Sequence, residues 1–204
     1  MKVFILASGM AERWGGAVKH LQPVLNTTVL QRQVGMITRY GYRYHILTHR
    51  PEIKNKFEHC IEPNNHTTLL NTVKSSSDLW KGVDEVAFIL GDVIFTKKCF
   101  DTCLQADLNK SFQFYGSADE LFCFRFTPVM RSRVIDNINN ILNVSKLGTA
   151  WELYRSLVGI PIDKDWTDRW FRTLITDKTD DIDYPEDYKK KIDSNYFDDA
   201  EFNI

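Results

Sequence analysis

The chain has 204 residues, which suits one domain and is enough to bury an ordinary hydrophobic core. Hydrophobic residues make up 43% and charged residues 26%, so we expect a globular protein over residues 1–204. The formal net charge of -1 argues against a general nucleic-acid binder, because such proteins usually carry a basic excess. A small phosphorylated ligand stays open, since it needs only a local basic patch.

No stretch has the pattern of a signal peptide or of a membrane span. The first apolar run covers residues 3–7 and stops at Ser8 and Gly9, which is too short for a signal sequence. No apolar run approaches the ~20 residues that a membrane helix needs. With nothing to indicate export, we expect a cytoplasmic protein whose cysteines are reduced. These are Cys60, Cys99, Cys103 and Cys123.

The first half of the chain alternates apolar strands with amphipathic helices. The pattern predicts strands over 2–6, 42–48, 58–61 and 85–90. It predicts helices from Thr27–Thr28 to Tyr40, after Pro51, from Thr67–Thr68 towards Trp80, and over 97–106. Because strands and helices alternate, we expect an α/β, Rossmann-like fold with a mixed, mostly parallel sheet flanked by helices.

The second half has closer strands and fewer crossovers. Aromatic-rich strands are predicted over 112–115 and 121–126, with a weaker strand over 171–176. Helices are predicted from Pro128 to Ile141, over 149–158 and in the lysine-rich tail. This half is therefore expected to add a small antiparallel edge and a lid to the same sheet.

The loop after the first strand, from Ser8 to about Leu25, has the composition of a phosphate-binding segment. Small residues let backbone amides approach phosphate oxygens, and Arg13 and Lys19 supply positive charge. The sequence lacks the G-K-[ST] of a P-loop and the G-x-G-x-x-G of a dinucleotide-binding turn. Its small residues are Ala7, Ser8, Gly9, Ala11, Gly15 and Gly16.

Two carboxylates are candidates for a divalent metal. Asp92 follows Gly91 at the end of a buried strand, where an unpaired charge would be costly. In open α/β sheets this end of the strands is where ligands bind, and Mg²⁺ typically takes one or two carboxylates together with substrate phosphates. Asp183, in the acidic tail, is the second candidate, with Asp181 as its nearest competitor.

The first stretch resembles the signature L-A-A-G-x-G-x-R-x-G, followed by a lysine, of nucleotidyltransferases with a glycosyltransferase-A-like fold. This group includes sugar-phosphate, phosphocholine and MobA-like nucleotidyltransferases. Ser8, Ala11 and Val18 depart from the pattern, the last standing where a proline usually precedes the lysine. The residues in step are Leu6, Ala7, Gly9, Arg13, Gly15 and Lys19.

Two further segments carry the same resemblance. Residues 90–93, Leu-Gly-Asp-Val, resemble the family's strand that ends in a metal-binding aspartate. Residues 182–188, Ile-Asp-Tyr-Pro-Glu-Asp-Tyr, are similar to the I-D-T-P-E-D segment near the end of many members. The three segments occur in the family's order.

The resemblance implies transfer of a nucleoside monophosphate from a nucleoside triphosphate to a phosphorylated acceptor, with release of pyrophosphate. In that interpretation Arg13 neutralises the leaving pyrophosphate and Lys19 holds the α-phosphate and the acceptor phosphate. Asp92 and Asp183 bind Mg²⁺. The nucleotide would contact Leu6, Ala7, Ser8, Gly9, Asn65 and Thr68.

The acceptor is open between a sugar phosphate and a phosphocholine-like molecule. Trp151, Tyr154 and Trp166 are candidates for an aromatic cage around a quaternary ammonium. Glu152 and Asp119 are the corresponding candidates around sugar hydroxyls. Lys146 is a candidate for a second phosphate contact.

Two other functions stay open. A glycosyltransferase of the same architecture would use a nucleotide-sugar, but it would usually show Asp-x-Asp where this chain has Gly91-Asp92-Val93. A catalytically degenerate nucleotide-binding module is the non-enzymatic alternative, favoured by Ala11 and Val18. No membrane partner is expected, and a homodimer stays open.

Overall fold

The structure is a computed structural model that describes residues 1–9, 12–108, 110–164, 171–198 and 200–202. Ala11 and Trp166 therefore lie outside the described residues. The strands are β1 (Lys2–Leu6), β2 (Pro23–Val24), β3 (Thr27–Thr28), β4 (Arg43–Leu47), β5 (Cys60–Ile61), β6 (Val86–Leu90), β7 (Val93–Ile94), β8 (Phe112–Gly116), β9 (Leu121–Phe126), β10 (Arg172–Leu174) and β11 (Asp180–Asp181). The helices are α1 (Val29–Arg39), α2 (Pro51–Lys54), α3 (Leu69–Ser75), α4 (Lys97–Leu104), α5 (Arg131–Val144), α6 (Ala150–Val158) and α7 (Pro185–Asp193).

A seven-stranded sheet in the order β10-β8-β9-β6-β1-β4-β5 forms the centre of the fold. β1 runs parallel to both of its neighbours, β4 and β6, and β5 runs parallel to β4. β9 runs antiparallel to β6 and β8. The predicted α/β fold, with a mostly parallel sheet and an antiparallel edge, is confirmed.

The sheet is covered on both faces, which explains why β1 is apolar throughout. Val3 and Ile5 belong to one hydrophobic cluster, together with residues of α1, α2 and α4. Phe4 and Leu6 belong to a second cluster, together with residues of α3, α5 and α6. A strand buried on both faces cannot alternate with polar residues, so a continuous apolar run marks a central position.

Threonine caps fix where several helices begin. Thr28 and Gln31 form a reciprocal capping box at the start of α1, and Thr68 accepts from the backbone N–H of Asn71 at the start of α3. The third predicted helix is shorter than expected. The Ser76 hydroxyl donates to the carbonyl of Val73 at 2.7 Å and accepts from the indole of Trp80, so a 3₁₀ turn over Ser77–Trp80 follows α3.

The tail folds back across the carboxyl end of the sheet, which the sequence did not predict. β11 pairs antiparallel with β7, directly after Asp92. Ile182 and Phe202 are fully buried in a third hydrophobic cluster with Val24, Val29, Ile94 and Phe197. This packing brings Asp183 to the end of β6. No helix in the described part of the chain is long and apolar enough to cross a membrane.

Candidate active site

The ends of three parallel strands and the returning tail enclose one cavity. Leu6 is in register with Leu47 of β4 and with Leu90 of β6, so the segments that follow these strands share an edge of the sheet. The cavity has a volume of about 360 Å³. It is lined by Leu6, Ser8, Gly9, Arg13, Trp14, Lys19, His20, His66, Thr67, Thr68, Leu69, Thr72, Leu90, Asp92 and Asp183.

Gly91 allows the close approach that places Asp92 at this edge. Its N–H donates to the carbonyl of Leu6 at 2.9 Å. A Cβ at this position would lie 2.7 Å from that carbonyl oxygen and 3.0 Å from the ring of His20. Only a glycine fits there without displacing the backbone of β1, which explains the Gly-Asp pair at the end of β6.

Lys19 is the centre of the charged groups in the cavity. Its ammonium forms ion pairs with Asp92 and, at 3.3 Å, with Asp183. Burial alone would lower the pKa of Lys19, but the two carboxylates outweigh it and the pKa is raised. Burial alone would raise the pKa of Asp92, but Lys19 reverses this and the pKa is lowered. Both groups are therefore charged at neutral pH.

Arg13 contacts the same carboxylate of the tail, that of Asp183. Its guanidinium donates to Asp183 at 2.9 Å and lies 4.8 Å from the centre of the Tyr184 ring. Asp183 thus accepts from two cations of the loop after β1. The predicted metal ligands Asp92 and Asp183 and the predicted phosphate-binding residues Arg13 and Lys19 are brought together.

A cluster of acidic side chains extends the site beyond these two aspartates. One ligand atom each from Glu120, Asp181 and Asp183 lies within 4.8 Å of the others. Burial, followed by repulsion from Glu120 and Asp183, raises the pKa of Asp181 to about 8. The cluster holds more negative charge than its surroundings stabilise. Glu120, in the turn between β8 and β9, gave no signal in the sequence.

His20 is buried beside the ion pairs, and the sequence analysis missed it. Burial, with Lys19 and Arg50 adding to the effect, lowers its pKa to about 4, although Asp92 opposes the shift. The ring is therefore neutral at pH 7. Among the described residues, its Nδ1 atom has no hydrogen-bond partner. Its position next to Lys19 in the loop was the one available clue.

The backbone N–H and carbonyl of Ala7, which was predicted to contact the nucleotide, both have hydrogen-bond partners in β4 or directly after it. Its N–H donates to the carbonyl of Leu47 at 3.0 Å, and its carbonyl accepts from the hydroxyl of Thr48 at 2.8 Å. The hydroxyl of Ser8 also donates to Leu47, at 2.9 Å. These bonds join the ends of β1 and β4. Ala7 has no further backbone donor for a phosphate, whereas Ser8 and Gly9 line the cavity.

Asn65 and Thr68 were also predicted near the nucleotide, and of these two only Thr68 lines the cavity. Its hydroxyl already caps α3 by accepting from the N–H of Asn71. Asn65 stands outside the lining, where its side-chain oxygen accepts from the N–H and the hydroxyl of Thr67. His66, which the sequence analysis did not select, lines the cavity instead and stacks on His49 with ring centroids 3.9 Å apart.

Glu152 and Lys146, which were predicted to bind the acceptor, do not line the cavity, and their role stays a prediction. Glu152 is buried because its carboxylate caps α6, accepting from the N–H of Thr149 at 2.7 Å and from the hydroxyl of Ser145. The carboxylate is therefore committed to local structure. Lys146 lies in the loop before α6, outside the lining.

The two aromatic candidates in the described part of the chain, Trp151 and Tyr154, do not line the cavity either. The ring of Trp151 carries the guanidinium groups of Arg155 and Arg172 at 5.8 and 5.5 Å. Tyr154 is fully buried and packs edge-on against Phe114. A cage made from these two rings would first have to lose those contacts.

Val18 occupies the position of the usual proline without distorting the loop. Its φ of -81° is close to the value that a proline ring imposes. The side chain packs in the first hydrophobic cluster, and the 3₁₀ turn that carries Lys19 begins directly after it. With Val18 at this position, Lys19 lines the cavity.

Comparisons with known proteins identify the fold. No family model matches the chain, and no curated protein matches it. Among solved structures, it is similar to a UDP-glucose pyrophosphorylase from Acinetobacter baumanii, with 11% identity, a TM-score of 0.68, and coverage of 98% of this chain and 95% of that one. It is similar to a CTP:phosphocholine cytidylyltransferase from Streptococcus pneumoniae, with 12% identity, a TM-score of 0.67, and coverage of 95% and 98%.

A third similar structure is that of a protein from Bacillus anthracis described as a glucose-1-phosphate thymidylyltransferase. The identity is 13% and the TM-score 0.67, with coverage of 100% of this chain and 98% of the other. At such identities the chain shares the fold of these nucleotidyltransferases, over nearly the full length of each. The activity has to be inferred from the site itself.

Proposed function

We propose that this chain is a nucleotidyltransferase. It would transfer a nucleoside monophosphate from a nucleoside triphosphate to a phosphorylated small-molecule acceptor and release pyrophosphate. The observation that supports this most is the meeting of three separate segments at the ammonium of Lys19. That nitrogen contacts Asp92 after β6 and Asp183 in the tail, 164 residues away in sequence. These charged groups meet at the carboxyl ends of the parallel strands, where ligands bind in open α/β sheets.

The donor set fits a hard divalent cation such as Mg²⁺. Such ions take oxygen ligands. Asp92 and Asp183 line the cavity, and Asp183 also belongs to the acidic cluster with Glu120 and Asp181. The raised pKa of Asp181 reflects negative charge that a cation would offset. When bound, Mg²⁺ would neutralise phosphate oxygens and polarise the α-phosphorus. Asp92 and Asp183 would be its principal ligands.

The chemistry is an in-line displacement at the α-phosphorus. An oxygen of the acceptor phosphate forms a new bond to that phosphorus, and the bond to the bridging oxygen of the pyrophosphate breaks. The acceptor phosphate is already ionised at neutral pH, so no general base is needed. Catalysis would rest on positioning and charge neutralisation, with Lys19 at the α-phosphate and acceptor phosphate and Arg13 at the leaving pyrophosphate.

Both cations have to exchange partners during this reaction. Here Arg13 and Lys19 are held by Asp183, and Lys19 also by Asp92. Substrate phosphates would take over the cations, which leaves the carboxylates available to a divalent ion. Metal and triphosphate should therefore bind cooperatively, because each one removes a competitor of the other.

A thermal-unfolding screen with the four ribonucleoside triphosphates, each with and without Mg²⁺, tests the proposed function. A ligand that binds only the native state at 100 times its Kd stabilises it by about 2.7 kcal/mol. We expect a clear rise in Tm with at least one triphosphate, and only in the presence of Mg²⁺. Lys19→Met should abolish the rise, while Lys81→Met, at an exposed surface lysine, should retain it. No rise with any triphosphate would contradict nucleotidyl transfer.

The acceptor can then be identified by pyrophosphate release. Sugar 1-phosphates and phosphocholine are the two classes to compare, with the triphosphate that gave the largest rise in Tm. Release with one class and not the other would assign the acceptor. Binding of a triphosphate without any release would favour the degenerate binding module.

A further inference from the structure

Trp14 joins the loop after β1 to the tail at the backbone of Asp183. Its indole N–H lies 3.1 Å from the carbonyl oxygen of Ile182 and 3.1 Å from that of Asp183. An indole has a single donor and no acceptor, so this one N–H is shared between two consecutive carbonyls. The contact spans 168 and 169 residues of sequence.

The ring of Trp14 is held in place by the same tail. Its centroid lies 5.6 Å from that of Tyr188, and the Tyr188 hydroxyl donates to the carbonyl of Pro23 at the other end of the loop. Arg13 contacts the ring of Tyr184 and the carboxylate of Asp183. Two adjacent residues of the loop, Arg13 and Trp14, therefore both contact the tail at Asp183 or the residues next to it.

Asp183 is also fixed from the strand side. The N–H of Ile182 donates to the carbonyl of Asp92 at 3.2 Å, and the side chain of Ile182 is fully buried. The backbone at residues 182 and 183 thus has one partner on the segment after β6 and one on the loop after β1. Trp14 supplies the second of these. The other contacts between the tail and the loop include the ion pairs of Asp183, the contact of Arg13 with Tyr184 and the hydrogen bond from Tyr188 to Pro23, and these do not involve the backbone at residues 182 and 183.

From these contacts, and on the basis of the proposed function, we infer that Trp14 is a positioning residue for the metal-binding carboxylate. Its N–H sets the distance between the phosphate-binding loop and the Asp183 backbone. The loop that holds the triphosphate and the tail that holds the metal then move as one unit. Partners that orient a ligand without touching the metal typically change metal affinity or activity by about 10- to 100-fold when removed.

Trp14→Phe tests this inference, because phenylalanine keeps an aromatic ring against Tyr188 and removes the N–H. The measurement is the binding of Mn²⁺ alone to the nucleotide-free protein, followed by electron paramagnetic resonance of the free ion. We expect Trp14→Phe to weaken Mn²⁺ binding about tenfold. Tyr188→Phe is the matched control, because it removes a hydroxyl from the same cluster without touching either carbonyl. It should change the affinity by less than about twofold.

A second replacement covers the case in which Trp14→Phe does not fold. Site-specific incorporation of 3-benzothienylalanine keeps the bicyclic shape and puts sulfur in place of the N–H, so packing is unchanged. Weakened Mn²⁺ binding with this side chain supports a role of the hydrogen bond itself.

Unchanged Mn²⁺ affinity in both replacements would overturn the role of Trp14 and leave nucleotidyl transfer untouched. A wild-type protein that does not bind Mn²⁺ would also overturn it, because there would be no metal site to position. The triphosphate screen decides the proposed function independently, since it reads stabilisation by the nucleotide rather than the affinity for the ion alone.

Discussion

Replacing Lys19 by methionine should have opposite effects on catalysis and on metal binding. Methionine retains an unbranched side chain of similar length and removes the ammonium that contacts Asp92 and Asp183. Two carboxylates then face the cavity without their cation. The negative charge of the transition state would lose the ammonium of Lys19 that stabilises it. A divalent ion would no longer compete with that ammonium for Asp92 and Asp183.

The cost in stability follows from the burial of the three side chains. Lys19 is 13% exposed, Asp92 18% and Asp183 37%. Breaking a fully buried pair costs about 3–5 kcal/mol, and breaking an exposed pair costs about 0–1 kcal/mol. For these partly exposed groups we expect a loss of roughly 1–3 kcal/mol in the free energy of unfolding at neutral pH.

The pH dependence of this loss has a defined sign. The pKa of Asp92 is lowered by Lys19, so its share of the stability is present above the ordinary pKa and lost as the pH falls through the lowered one. The pKa of Lys19 is raised from 10.5, so its share is lost only as the pH rises through the raised value. The difference between wild type and Lys19→Met should therefore be flat near neutrality and shrink in acid.

Urea unfolding at several pH values, pyrophosphate release and Mn²⁺ titration measure these effects. We expect Lys19→Met to lower turnover by at least ~10²-fold, the scale of a lost charge-stabilising donor. Its Mn²⁺ affinity in the absence of nucleotide should rise roughly tenfold, equivalent to ~1.4 kcal/mol. Lys81→Met should change neither quantity. Retained turnover, or weaker Mn²⁺ binding in Lys19→Met, would refute the reasoning about competition at Asp92 and Asp183.

Three further predictions concern Gly91 and His20 beside Asp92 and the cap of α6. Gly91→Ala should lower the free energy of unfolding by about 1–3 kcal/mol in urea, because the new Cβ would collide with the carbonyl of Leu6; an unchanged midpoint would contradict this. The pKa of His20 falls from 6.5 in the unfolded chain to about 4 in the folded protein, so the unfolded chain takes up a proton first as the pH falls. The free energy of unfolding of the wild type should therefore decrease by about 3 kcal/mol from pH 7 to pH 4. His20→Asn should not show this decrease, and an equal decrease in both proteins would show that another group causes it. Glu152→Ala should cost about 1–2 kcal/mol in thermal unfolding through the lost cap of α6, and full stability would show that the cap is dispensable.

Sequence patterns predicted the strands and helices best in the first half of the chain. β1 and β6 are uninterrupted apolar strands, and such runs can be recognised in a sequence because both faces of the strand are buried. Threonine caps correctly indicated the starts of α1 and α3. The paired strands β7 and β11 escaped prediction because two-residue strands carry no periodicity.

For the site, the sequence indicated which side chains carry the charge, and the structure brings Arg13, Lys19, Asp92 and Asp183 together. It did not show which side chains have their hydrogen bonds satisfied locally. Glu152 has the residue type of a sugar-binding carboxylate, but it is used up as a helix cap. A residue type reveals what a side chain can bind, and its partners depend on the fold around it.

The sequence alone identified the loop of small residues with its two cations. It also identified the Gly91-Asp92 pair that follows β6. These are local requirements of backbone approach and charge, which short segments express directly. Only the tertiary structure decided that Lys19 lies between Asp92 and Asp183 and that Trp14 donates to the backbone of Asp183. The contacts with Asp183 span more than 160 residues. They depend on the return of the tail to β7, which follows from the burial of Ile182 and Phe202 and leaves no periodic pattern in the chain.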